Sequence, residues 1–228
     1  MIKETLKKII PFHWRYYMRQ ILFPSTVNEN IPLRKEFYSY FLKEGDWVFD
    51  VGANMGNRVK AFLECKAKVL AIEPQKSCYK YLKLMFGNKI QLVTKGLGAI
   101  EGIKKFYIAD SSTISTFSED YIKAVKESGR FGNNNWNRTE EIEMTTLDNL
   151  IQLYGIPAFI KIDVEGFEQR ILSQNLEWLD QVKNIILETH SGEANKVCTK
   201  TLLSKGFQIK KLNTLTGDTE NIYWASRL

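Results

Sequence analysis

The sequence predicts an α/β fold, doubly wound around a mostly parallel seven-stranded sheet, with an antiparallel strand at the C-terminus and a helical extension at the N-terminus. Three observations predict it. Short runs rich in β-branched and aromatic residues alternate with longer amphipathic segments, the order that builds a parallel sheet covered on both faces. The first such run stops at Asp50-Val-Gly-Ala-Asn-Met-Gly56, where closely spaced small residues mark a strand feeding a tight turn. The last two runs, Gln208 to Leu212 and Asn221 to Ser226, flank a turn at Thr216-Gly-Asp218 and should close the sheet as an antiparallel pair.

The elements follow in order. A helix over Arg34 to Lys43 leads into strand one, Trp47 to Val51. Gly52 and Gly56 let the backbone take positive φ and approach a ligand closely, before Asn57 to Lys66 continue as a helix. Strand two (Lys68 to Glu73), a helix (Gln75 to Phe86) and strand three (Ile90 to Thr94) repeat the unit. Ile103 to Ala109 reads as a hairpin that interrupts the alternation, and a polar stretch rich in Gly and Asn runs from Ser128 to Thr139. Strand four is Phe159 to Asp163, its helix starts near Glu165, and strand five is Asn184 to Glu188. Residues 1–27 are a basic amphipathic extension and 28–228 one domain, with no internal repeat.

Composition bounds this reading. With 228 residues and 44% hydrophobic content, the chain supports one sizeable core and not two. Cys65, Cys78 and Cys198 are odd in number and suit neither a zinc site nor a disulfide framework, which points to reduced cysteines in a cytoplasmic protein. No apolar run approaches the roughly 20 residues needed to cross a bilayer. Ile9 and Ile10 are followed at once by Pro11, so no signal-peptide core is expected, and Asn137-Arg-Thr139 is a chance glycosylation match.

The net charge of +6 could indicate nucleic acid, but its location argues otherwise. Lys3, Lys7, Lys8, Arg15 and Arg19 face only Glu4 in the first 20 residues, so most of the excess belongs to the extension. A basic patch on the main domain, expected of an RNA-binding enzyme, is missing from the pattern, and no nucleic-acid partner is expected. In the extension Ile2, Leu6, Ile9, Ile10, Trp14, Tyr17, Met18, Ile21 and Leu22 recur at helical spacing, with a break at Pro11. Two readings stand: the helix covers the main domain or a partner subunit, or it lies peripherally on the inner face of an anionic membrane.

The turn after strand one carries the chemistry. A dinucleotide fingerprint needs Gly-x-Gly-x-x-Gly to set pyrophosphate on a helix N-terminus. Here Gly52, Asn54 and Gly56 stand two apart behind Asp50, which suits a zwitterionic amino-acid tail better and disfavours a nucleotide-dependent oxidoreductase. Asp50 to Gly56, Ile72-Glu-Pro74, Thr145-Thr-Leu-Asp148 and Ile160-Lys-Ile-Asp-Val-Glu-Gly-Phe-Glu168, in that order, resemble the FkbM family of S-adenosylmethionine-dependent methyltransferases. The resemblance spans about Trp47 to His190. It implies a class I methyltransferase sheet, S-adenosylmethionine as cofactor and S-adenosylhomocysteine as product.

Asp50, Glu73, Asp163 and Glu188 all end strands, where ligands of such sheets bind, and a strand end needs no carboxylate for stability. Glu73 follows Asp50 at close to the spacing of about 20 residues at which an acid meets a ribose diol. Gly52, Ala53 and Asn54 should pass beneath the methionine part of the cofactor, with Asp50 drawing its ammonium and Gly56, Asn57 and Pro74 completing the turn and the ribose end. Gly96 and Leu97 form an adenine edge. Lys161, in a buried strand, needs an acidic partner. Asp163 faces the transfer centre, Glu165 sits in the following loop, and Glu168 caps or forms a salt bridge. His190 is the candidate general base because imidazole titrates near neutrality, with Asp163 or Glu165 as substitutes. Mg²⁺ on Asp163, Glu188 and His190 is not favoured, histidine being a poor ligand for it.

The expected reaction is O-methylation of a saccharide or other polyhydroxylated small molecule, with Ser111 to Thr116 and Gly129 to Arg138 on the acceptor side. Asn57-Arg58 is more polar than the resemblance leads one to expect. A non-catalytic cofactor-binding protein and an N- or carboxyl-methyltransferase are the competing readings.

Overall fold

A computed structural model describes residues 11–22, 30–212 and 221–227. Helices α1 (Phe12–Leu22) and α2 (Ile31–Ser39) precede β1 (Trp47–Val51), α3 (Val59–Glu64), β2 (Lys68–Ile72), α4 (Lys76–Phe86) and β3 (Ile90–Val93). The middle third holds β4 (Gly96–Leu97), β5 (Gly102–Ile108), α5 (Glu119–Ser128), β6 (Arg138–Thr145) and α6 (Leu147–Tyr154). The last third holds β7 (Phe159–Ile162), α7 (Glu168–Ile171), β8 (Asn184–Glu188), α8 (Gly192–Ser204), β9 (Gln208–Lys211) and β10 (Ile222–Ser226).

Seven strands form one sheet in the order β3-β2-β1-β7-β8-β10-β9. β1 pairs in parallel with β2 and β7, β7 with β8, while β10 runs antiparallel between β8 and β9. The central strands are apolar on both faces, as expected of parallel strands covered twice. Alternation along β1 sends Val48 to one core with Tyr38, Phe62 and Leu82 of α2, α3 and α4. Phe49 and Val51 go to the other, with Leu147 and Leu150 of α6, Leu202 of α8 and Trp178.

The region between β3 and β7 departs from the sequence expectation. Ile103 to Ala109 is not a hairpin: β5 pairs antiparallel with β6, and β4 joins β6 in parallel, making a separate three-stranded sheet. Between β5 and β6 lies α5, which buries Tyr121 and Val125 one turn apart, is capped by Ser118 Oγ accepting from the Tyr121 amide, and stops at left-handed Gly129. The polar stretch ends earlier than expected, because Arg138 already begins β6. The helix after β7 starts at Glu168 rather than Glu165, since Glu165 and Gly166 both take positive φ, 52° and 87°. α2 starts before the expected Arg34, with Pro32 in its first turn. α1 begins just after Pro11 and packs on α4, Tyr16 meeting the Tyr81 ring edge to face at 5.1 Å. The turn at Thr216 to Asp218 and the tail residues Ile2 to Ile10 lie outside the described residues.

Candidate active site

A cavity of about 390 Å³ opens beyond the carboxyl ends of the strands. One wall is the turn after β1. Gly52, at φ 76°, donates its amide to the Ile72 carbonyl at 3.0 Å, and any Cβ on it would lie 1.8 Å from the Asp163 carbonyl oxygen. Only glycine lets the turn sit this close to the end of β7. Ala53 and Asn54 follow along the cavity wall. The amides of Asn54 and Gln75 donate to Glu73 Oε2 and Oε1, at 2.7 and 2.8 Å, so this carboxylate ties the turn to the start of α4 while lining the cavity beside Pro74. Burial pushes the Glu73 carboxyl up to about 7, against the two amides that favour its charged form.

Several residues assigned to the cofactor from sequence stand elsewhere. Asp50 is fully buried beneath the turn, outside the cavity lining, and its cationic neighbour is the chain's own Lys161 rather than a ligand ammonium. Lys161 Nζ lies 3.5 Å from Asp50 and 3.2 Å from Asp163, and donates to the Gly52 carbonyl at 2.9 Å. This supplies the acidic partners that a buried lysine requires. Burial opposes the Lys161 charge, yet Asp163 and Asp50 hold its pKa above the ordinary value. Gly56 turns toward Phe86 and Leu82 of α4, and Gly96 toward Met144 and Phe117, so both serve packing. Leu97 and Asn57 line the cavity, and so does Arg58.

The far end gathers acids around one imidazole. Asp163, Glu165 and Glu188 line the cavity; His190 is not among the lining residues but stands against all three. His190 Nδ1 is 2.8 Å from Glu168 Oε1, while Nε2 faces Glu165 at 3.3 Å, Asp163 at 3.8 Å and Glu188 at 3.9 Å. Burial disfavours the imidazolium, but the Glu168 hydrogen bond and the surrounding carboxylates outweigh it and raise the pKa to about 10. Held as a cation by these carboxylates, the imidazole has no lone pair to receive a proton, which weighs against His190 as the base. Glu165 is different. Burial pushes its carboxyl up to about 8 against the pull of His190, and Tyr121 Oη donates to Oε2 at 2.5 Å. It is the raised carboxyl at this end of the cavity, suited to taking a proton near neutrality. Asp163, Glu165 and His190 offer ligand atoms within 4.8 Å of one another, a spacing a divalent cation could use only after His190 gave up its proton. The ion pairs account for the gathering without one.

Glu168 forms the expected salt bridge, to His190, from a fully buried position, and also accepts from the Gly166 amide at 3.0 Å. Two further participants escaped sequence reading. Tyr121 comes from α5, in the region misread as a hairpin and loop. Arg34, from α2, lines the cavity beside Arg58, and nothing local to it announces that. On the acceptor side, Ser112, Thr113, Ser115, Arg130 and Phe131 complete the wall, and Asn54 Nδ2 donates to the Ser112 carbonyl at 3.1 Å.

The fold is shared with a solved methyltransferase. A precorrin-6y C5,15-methyltransferase from Geobacter metallireducens superposes with TM-score 0.50 at 10% identity, covering 88% of both chains. Magnesium protoporphyrin IX methyltransferase from Synechocystis PCC 6803, solved with bound S-adenosylmethionine, gives 0.47 at 14% identity over 90% of this chain and 79% of its own. No curated protein matches the chain. Residues 50–212 match the Methyltransferase FkbM domain, more than half of the sequence, and the chain therefore belongs to the FkbM methyltransferase family.

Proposed function

We propose that this methyltransferase moves the methyl group of S-adenosylmethionine to a hydroxyl of a saccharide or other polyhydroxylated small molecule. The cavity volume lies within the range of about 300 to 1,000 Å³ usual for small-ligand sites. Glu73 keeps a lone pair on each oxygen beyond those used by the Asn54 and Gln75 amides, enough to accept a ribose diol. Leu97, Pro74 and Phe117 supply apolar wall for the adenine, and Gly52, Ala53 and Asn54 run beneath the methionine part. Arg34 and Arg58 bring positive charge to the cavity, which suits the cofactor carboxylate in place of the Asp50–ammonium contact expected from sequence. Bound S-adenosylmethionine supplies an electrophilic methyl on a sulfonium.

The chain supplies the rest. Phe131, Arg130 and Ser112 to Ser115 hold the acceptor, Glu165 takes the hydroxyl proton as the oxygen attacks, and Tyr121 fixes the Glu165 carboxyl. Holding oxygen and methyl in line can contribute about 7 to 11 kcal/mol. The observation that carries the hydroxyl reading is Glu165, a cavity-lining carboxyl raised to about 8. The test is a screen of glycan and small polyol acceptors with labelled methyl donor, followed by analysis of the product linkage. An alkali-stable methyl ether supports the reading. A methyl ester or N-methyl product overturns it, and cofactor binding with no transfer to any acceptor class favours a non-catalytic binding protein.

A further inference from the structure

Helix α1 covers the domain with one face and leaves another uncovered. Tyr16 lies on Tyr81, and Gln20, only 5% exposed, accepts a hydrogen bond from Lys60 Nζ at 2.6 Å. The opposite side carries Trp14, Met18, Ile21 and Leu22, which are 45%, 46%, 54% and 61% exposed. Their spacing of four, three and one places them on a single stripe along the helix. No other described helix exposes more than two large apolar side chains. Arg15 and Arg19, one turn apart, border this stripe, Arg15 half-buried and Arg19 exposed.

The size and charge of the stripe decide what covers it. An 11-residue helix is about 16 Å long and presents a face about 10 Å wide, roughly 160 Å², against the roughly 800 Å² per partner of a stable protein interface. A lipid surface needs no such area. Tryptophan with aliphatic side chains on one face and arginines at its border is the pattern of a helix lying in the headgroup boundary, and the arginines match anionic headgroups. The same extension carries five cations against one acid in its first 20 residues.

We propose that α1 docks this enzyme peripherally on an anionic lipid surface, inserting Trp14, Met18, Ile21 and Leu22. The two sequence readings of the extension are then both satisfied, the inner face covering the domain and the outer face meeting lipid. The test uses the full chain with phosphatidylcholine vesicles, with and without phosphatidylserine, in a sedimentation assay at low and high salt. Binding is expected only with phosphatidylserine, weaker at high salt, and at least about tenfold weaker in a Trp14→Ser/Met18→Ser/Ile21→Ser variant. Brominated lipid should quench tryptophan emission in the wild type and much less in Trp14→Phe. Failure of the wild type to bind, or equal binding by the triple variant, overturns the proposal. So does a concentration-dependent dimer that the triple variant abolishes while vesicles bind neither protein. The exposed substitutions should leave S-adenosylhomocysteine binding unchanged, so a negative result here is separate from the methyltransferase reading.

Discussion

Replacing Lys161 by methionine removes one charge from beneath the turn after β1 while keeping nearly the same side-chain volume. In the wild type its Nζ stands 3.5 Å from Asp50 and 3.2 Å from Asp163 and donates to the Gly52 carbonyl. Asp50 has no exposed surface. Removing one member of a buried pair strands the other, at about 3 to 5 kcal/mol, a large part of the roughly 5 to 15 kcal/mol that holds a domain folded. The loss should depend on pH. Burial already raises the Asp50 carboxyl, and Lys161 is the main group opposing that rise. Without Lys161 the folded-state pKa climbs further, so the variant is least handicapped below the ordinary aspartate range and loses stability as pH rises through that higher value. For Asp163, Lys161 and His190 outweigh burial and depress the pKa, a contribution present above the ordinary value and lost as pH falls. The variant gives up the Lys161 part of it at pH 5 and pH 8 alike, so the Asp50 effect is what widens the deficit at pH 8 and narrows it at pH 5. Urea unfolding at the two pH values measures this, and Asp50→Asn in the Lys161→Met background should recover at least half of the loss. A deficit under about 1 kcal/mol at pH 8, or one equal at both pH values, would refute the reasoning.

Glu165→Gln should lower kcat by about 10²- to 10⁴-fold with S-adenosylhomocysteine affinity within about twofold, and wild-type kcat/KM should rise through about pH 8; a rise centred between pH 6 and 7 would return the base role to His190. Gly52→Ala meets both a positive φ, worth about 1 to 2 kcal/mol, and the 1.8 Å approach to the Asp163 carbonyl. It should weaken S-adenosylhomocysteine at least about tenfold in calorimetry, and unchanged affinity would deny the turn its role. Phe131→Ala should raise the acceptor KM several-fold while leaving cofactor affinity unchanged; the reverse split would move Phe131 to the cofactor side.

The sheet was legible because β1, β2, β7 and β8 are short apolar runs buried on both faces, with an acid or a glycine where each ends. The inserted sheet was not, since β6 is largely exposed and its Glu140, Glu141 and Glu143 carry no apolar period. Tyr121 was hidden with it, because its neighbour Glu165 lies 44 residues away in sequence. Strand ends announced Glu73 and Asp163 correctly as cavity residues, but the same rule placed Asp50 in the cavity, where β1 is buried too deeply for that side chain to reach ligand. His190 was found by type and position. Its charge was not, because that depends on Glu168 and on a loop whose positive φ values bring Glu165 to within 3.3 Å of the imidazole.

The most direct test of the account is calorimetric titration of purified protein with S-adenosylhomocysteine, wild type beside Glu73→Ala. The cavity and its ribose anchor predict micromolar binding by the wild type, weakened at least about 30-fold, roughly 2 kcal/mol, in the variant. A well-folded wild type that binds no S-adenosylhomocysteine, or a Glu73→Ala protein that binds it equally well, would contradict the account.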